Sequence, residues 1–309
     1  MPRRHPTGPC RAPLPRAANV GGLAEPFEFE FFVRGMVAAT LVGVLCAAVG
    51  VYVVLRTLAY IGHGLAHSIF GGAVVSFVSG ISFYIGATIW GVFTVLLINA
   101  AARRRQIGGD AAVGIITTCA FALGVALISR HGKFTTDFDA ALFGEILGIT
   151  SGDLYVIAGV LVLAAAVIFA WWKQLLFTTF DSDVASTYGV PVPWVEALFS
   201  LVLAATVIAS LQVLGATLIA AALVIPPVTA RLLTDSFTRM FALAAALGGA
   251  SGLVGVYISW FVNVSSGATV VLLQGALFVV ALGWAVARSR WPGTGSGERL
   301  AAIEGAQLD

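Results

Sequence analysis

The sequence predicts an all-α, polytopic bundle of eight to nine transmembrane helices. Three observations predict it. Of 309 residues, 59% are hydrophobic and 10% are charged, whereas soluble domains run near a quarter charged. The mean hydropathy of +0.97 is more apolar surface than a soluble globule of this length hides, so the solvent is lipid. Charges are also missing over windows as long as a bilayer crossing. Between Gly35 and Ala102 the one charged residue is Arg56, and none occurs in 111–129, 154–172, 197–230 or 240–287. Finally, period-two alternation is absent, so helices satisfy the backbone in lipid, not a barrel.

A helix needs about 20 apolar residues to cross the hydrocarbon. The expected spans, in order, are 32–55, 58–80, 83–102, 111–130, 154–172, 193–212, 214–231, 240–262 and 268–287. Residues 27–288 read as one transmembrane domain. Residues 1–26, rich in Pro and Arg, read as a disordered arm, and 289–309, opened by Trp291-Pro292-Gly293, as a disordered cytoplasmic tail. Arginine bias sets orientation. Arg103-Arg104-Arg105 marks the cytoplasmic side, and stepping outward puts 173–192, Arg231–Arg239 and Arg288 there too. It puts 131–153, with Asp137, Asp139, Glu145 and Asp153, outside. A nine-helix count then leaves the Arg-rich arm outside, against the rule. Cys10, Cys46 and Cys119 show no pairing pattern. A net charge of +2 gives no footprint for nucleic acid, which is not expected as a partner.

Chemistry concentrates in the second span, AYIGHGLAHSIFGGA. His63 and His67 are four residues apart and share a helix face. Ionisable side chains in an otherwise chargeless span default to a functional reading, and neutral imidazoles at this spacing can hold one divalent cation. Two histidines bonded to nearby backbone are the plainer alternative. The spacing also fits HExxH, but position 64 is Gly. No carboxylate is there to activate a metal-bound water, which argues against an enzyme.

Pro226 and Pro227 remove two backbone donors from the seventh span. They are expected to break it near its cytoplasmic end, either lining a cation path with freed carbonyls or kinking the helix for packing. Asn99, Gln212, Thr217, Thr229 and Gln274 are further polar candidates along a pathway. The inner loop 177–192 reads as a short amphipathic helix opened by Asp181 and Asp183 and closed by Gly189, with Pro191 starting the next element. Such a helix suits docking to a cytoplasmic partner, and an ordinary surface loop fits equally well.

Taken together, VYVVLRTLAYIGHGLAHS, DAAVGIITTCAFALGVALIS, LFGEILGIT, FDSDVASTYGV, LGATLIAAALVIPPVTARLL and SSGATVVLLQGALF resemble, in order, the permeases of metal-cation ABC importers for manganese, zinc or iron. The resemblance runs from about residue 33 to 287. It implies a multi-pass subunit of the cytoplasmic membrane that passes a divalent transition-metal cation and holds no permanent cofactor. It also implies a second permease copy (homodimer or close homologue), cytoplasmic ABC ATPase subunits and an extracytoplasmic metal-binding protein. Asp181, Asp183 and Gly189 would then belong to the helix seated in the ATPase, and His67 would match the histidine of the family's Gly-Asp-x-x-x-His segment. His63 stands where most of the family carries Asp, and paired imidazoles lean toward zinc. A secondary transporter or channel is the rival reading. It needs intramembrane acids as a relay, and no Asp or Glu lies deep in any expected span.

Overall fold

A computed structural model describes residue 22 and residues 24–102, 109–131 and 144–289. Most of the N-terminal arm and of the C-terminal tail lies outside the described residues, as do Arg103-Arg104-Arg105, Asp137 and Asp139. A 3-10 turn, Glu25–Glu28, leads into α1 (Glu30–Leu55), α2 (Ala59–Ser79), α3 (Phe83–Ala102) and α4 (Gly109–His131). A second 3-10 turn, Ile146–Gly148, precedes α5 (Ser151–Ala170), α6 (Trp172–Phe180), α7 (Ser182–Thr187), α8 (Val192–Leu233), α9 (Phe237–Val262) and α10 (Ser266–Ser289). Among the described residues there is no strand. By length and composition α1, α3, α5, α8, α9 and α10 can each cross a membrane. Seven of the nine expected spans each coincide with one helix to within a few residues, and the other two, 193–212 and 214–231, together fill α8.

Helices α1 and α8 form the centre. The apolar stretch of α1 is 67% buried, against 17% for α5 and for α10. Side chains such as Ile89, Val162, Phe169, Leu272 and Val280 point outward instead, as a bilayer-facing surface requires. In lipid there is little hydrophobic gain between helices, so association rests on close backbone approach at small residues. α1 and α9 meet antiparallel at such a seam: a Cβ on Gly43 would strike the backbone of Gly248, and one on Gly252 the backbone of Ala39. α2 and α4 run parallel and also approach backbone to backbone, at Gly71 and Gly124.

Tyr52 fixes which ends are together. Its ring touches Phe199 of α8 at 6.0 Å and Phe237 of α9 at 5.6 Å. Both ends of α8 therefore lie beside the C-terminal end of α1, although a straight helix of that length would span roughly 60 Å. The reversal is at Gly215, whose backbone (φ +74°, ψ 161°) is the one non-helical point in the run. Ser210, before it, bonds Cys46 at 3.3 Å, and the Leu223 carbonyl, after it, lies on Gly50. Thirteen residues of α8 thus return to within four residues of the same level on α1. Gly144, also at positive φ, backs onto the turn at Val213–Gly215.

The end shared by Arg56, Lys173, Arg231 and Arg239 is the cytoplasmic one by charge bias. At the opposite end Gly35 meets Ile146, and the acids Glu30, Glu145 and Asp153 gather there. α1 accordingly begins outside, in agreement with the nine-span count.

One expectation is corrected here. Pro226 and Pro227 do not break the helix, which continues to Leu233. Pro227 withdraws the N–H that would bond the Leu223 carbonyl. That oxygen turns onto Gly50 instead, with the Pro227 ring close beside it. The prolines shape a packing contact between α8 and α1.

Candidate metal site and docking surface

α2 carries both histidines because a helical register puts i and i+4 one above the other. Their ring centroids are 4.6 Å apart and the planes nearly perpendicular, at 83°. His63 is exposed and His67 half-buried. The buried Nδ1 of His67 has no hydrogen-bond partner among the described residues, and its ring meets Phe121 edge-on at 5.1 Å. Gly62 and Gly64 keep the flanks thin: a Cβ at the former would meet Leu223 at 3.2 Å, and at the latter Thr117 and Val113 at 3.0 Å. Each imidazole reaches a dication at about 2.0–2.1 Å, so rings this close can share one ion. Among the described residues no third His, Cys, Asp or Glu joins them. A two-ligand site is weak, and an ion that must leave again needs a weak site.

At the outer end a cavity of about 270 Å³ is lined by Phe83, Glu145, Gly148, Ile149, Asp153, Leu211 and Gln212. The Tyr84 hydroxyl lies 2.7 Å from Asp153 Oδ1 and 2.8 Å from the Gln212 amide. One hydroxyl proton serves one of them. With Asp153 ionised it goes to the carboxylate, and the Gln212 Oε1 lies beside the same hydroxyl. Asp153 also closes a capping box with Thr150 at the start of α5. Of the polar pathway candidates, Gln212 is thus at this cavity. Thr229 donates within its own helix to the Ile225 carbonyl, and Gln274 donates to Ser251. Ser68, on the histidine helix, is tied to Thr94 at 2.8 Å.

At the inner end the expected short helix is α7. Asp181 is its N-cap, accepting from the amides of Asp183 at 3.1 Å and Val184 at 2.9 Å. Its carboxylate is therefore engaged by the helix itself. Asp183 is exposed, and Gly189 ends the segment at φ +81°. Beyond the acids, Phe180, Val184 and Tyr188 stand exposed at four-residue spacing, Tyr188 at 77%. Sequence reasoning passed over this stripe, because in an apolar chain three more hydrophobes carry no signal until their exposure is known. Arg56, noted in the sequence as a lone charge but given no role there, joins α1 to α6.

A profile of the ABC 3 transport family matches residues 28–285. The chain belongs to the ABC 3 transport family. Among the relatives of this ABC 3 protein, a manganese transport system membrane protein of Halalkalibacterium halodurans is 36% identical over 254 residues, covering 82% of this chain and 87% of that one. A chelated iron transport system membrane protein of Yersinia pestis is 29% identical over 259 residues, covering 84% and 88%. The solved PsaBC structure from Streptococcus pneumoniae, in complex with Fab, superposes with a TM-score of 0.77 at 31% identity, covering 84% of this chain and 95% of that one. As an ABC 3 protein the chain is a multi-pass membrane permease subunit of the cell membrane.

Proposed function

We propose that this permease imports a divalent transition-metal cation, with ATP hydrolysed on separate cytoplasmic subunits. The observation that carries the reading is the His63–His67 pair, two imidazoles on one face of a chargeless helix, with the buried Nδ1 of His67 unpartnered among the described residues. Relatives named for manganese and for iron transport support the cargo class. Imidazole nitrogens favour manganese, iron or zinc over the oxygen-seeking magnesium and calcium.

In this reading the ion is handed over by an extracytoplasmic metal-binding protein and enters by the cavity of Glu145, Asp153 and Gln212. It then rests on His63 and His67 and leaves toward the cytoplasm. A second permease copy completes the pathway, and α7 seats in the ATPase through Asp183, Gly189 and the exposed face of Tyr188. The test is uptake of radiolabelled manganese, iron and zinc by proteoliposomes holding the permease, its ATPase and its binding protein. ATP-dependent uptake that His67→Ala abolishes, with the complex still assembled, is the expected result. Wild-type uptake by a His63→Ala, His67→Ala double variant overturns it.

A further inference from the structure

Arg56 is the sole charge in the 68 residues from Gly35 to Ala102, and it is half-buried at the inner end of α1. Its guanidinium is spent on one turn of α6. Nε donates to Thr179 Oγ1 at 2.9 Å, and Nη2 donates to Thr178 Oγ1 at 2.8 Å and to the Leu175 carbonyl at 3.3 Å. The same group lies 4.7 Å from the centre of the Phe199 ring of α8. All the acceptors are neutral. Burial pushes the guanidinium below its ordinary pKa, with the charge of Glu196 opposing. A cation held here on neutral acceptors is costly, and the buried Thr178 and half-buried Thr179 hydroxyls already donate to the Leu175 carbonyl within α6.

The two elements that Arg56 joins lead to the two functional regions. α6 ends at Phe180, and Asp181 at once caps the docking helix α7. α1 runs into α2 through a turn held by hydrogen bonds from Arg56 N to Tyr52 O at 2.9 Å and from Leu58 N to Val53 O at 2.8 Å. Thr57 sits in that turn at φ +56°, a costly conformation for a β-branched residue that persists only where its surroundings impose it. His63 follows one helical turn into α2. Six residues of tightly bonded chain therefore separate Arg56 from His63, the first imidazole.

From this we infer that Arg56 is a positioning residue: its fork on Thr178, Thr179 and Leu175 locks the base of the docking helix to the α1–α2 turn, so that movement of α7 reaches the helix bearing His63 and His67. The inference rests on the importer reading above. A lysine places one point charge and cannot span these acceptors as a planar fork does.

The test uses the full complex in proteoliposomes and reads manganese ions transported per ATP hydrolysed, with manganese binding and thermal unfolding measured on the same preparations. Arg56→Gln is expected to assemble, to bind manganese as wild type does and to hydrolyse ATP, while ions moved per ATP fall by about tenfold, within the range of inter-site coupling. Arg56→Lys is expected to recover only part of that ratio. In a Thr178→Val, Thr179→Val background Arg56→Gln adds little, because the two changes remove one interaction. A wild-type ratio in Arg56→Gln, or losses of uptake and ATPase that merely follow the amount of folded complex, overturns the inference. If Arg56→Gln does not assemble, the Thr178→Val, Thr179→Val variant, which keeps the cation, decides the matter on the same ratio. Absence of ATP-dependent uptake by the wild type would instead overturn the importer reading.

Discussion

The carbonyl oxygen of Leu223 rests on the bare Cα of Gly50. Two residue choices create that contact. Pro227 leaves the oxygen without its helical donor, and Gly50 leaves no Cβ in its way. Methyl-sized overpacking of a tight site costs about 1–3 kcal/mol, and here the obstacle is backbone, which yields little. Gly50→Ala is therefore expected to lower the unfolding temperature and the yield of purified permease. Pro227→Ala returns a donor to Leu223, so its effect should be clearly smaller. Thermal unfolding of both variants in detergent checks the order, and equal effects would refute it.

Replacing His63 with Asp tests the ligand set. A carboxylate oxygen beside one imidazole suits manganese or iron, whereas two imidazoles favour zinc. His63→Asp is expected to raise manganese uptake relative to zinc at equal free concentration. An unchanged ratio would remove His63 from the ion's path.

Acid should inhibit. An imidazole binds metal only when neutral, so protons and cations compete for His63 and His67. Manganese uptake is expected to fall as the outer solution is taken from about pH 7.5 to about pH 5.5. Uptake that rises over that interval would exclude the pair as ligands.

Beyond α7, the proposed docking helix, Gly189 holds φ +81°, a region where a β-branched side chain costs about 1–3 kcal/mol. Gly189→Val should therefore lower ATPase stimulation, and Tyr188→Ala should weaken co-purification with the ATPase while leaving the membrane helices intact. Asp181→Ala removes a cap worth about 1 kcal/mol and should have the mildest effect of the three. Pull-down and ATPase assays on one set of preparations would show whether that order holds.

Most of the fold was legible in the sequence, because a chargeless apolar window of bilayer length is seldom anything but a membrane crossing. The reversal within α8 was legible too: 193–212 and 214–231 read as two spans since no single crossing needs 42 residues. Its cause was not. Gly215 looks like any glycine in a membrane helix, and only Gly144 packed on Val213–Gly215, with the Glu145 amide donating to the Gln212 carbonyl, shows what surrounds the turn. The prolines misled for the converse reason. Their rule describes an isolated helix, and the compensating glycine lies on another helix, more than 170 positions earlier in the chain. His63 and His67 stood out because imidazoles are rare in this chain. Arg56 was visible as a lone charge, but its partners, two threonines and a carbonyl, are common groups with no signature of their own.

Because α8 doubles back at Gly215, it stands as a hairpin with both feet on the side where α7 lies. Its first limb, from Val192 to Leu214, is roughly 34 Å long at the helical rise. Such a limb is a lever arm. A rocking of about 5° at its feet sweeps the tip through roughly 3 Å. The tip carries Gln212, which walls the outer cavity and touches Tyr84. A small tilt imposed from below is thereby magnified at the far mouth to about the width of a water molecule.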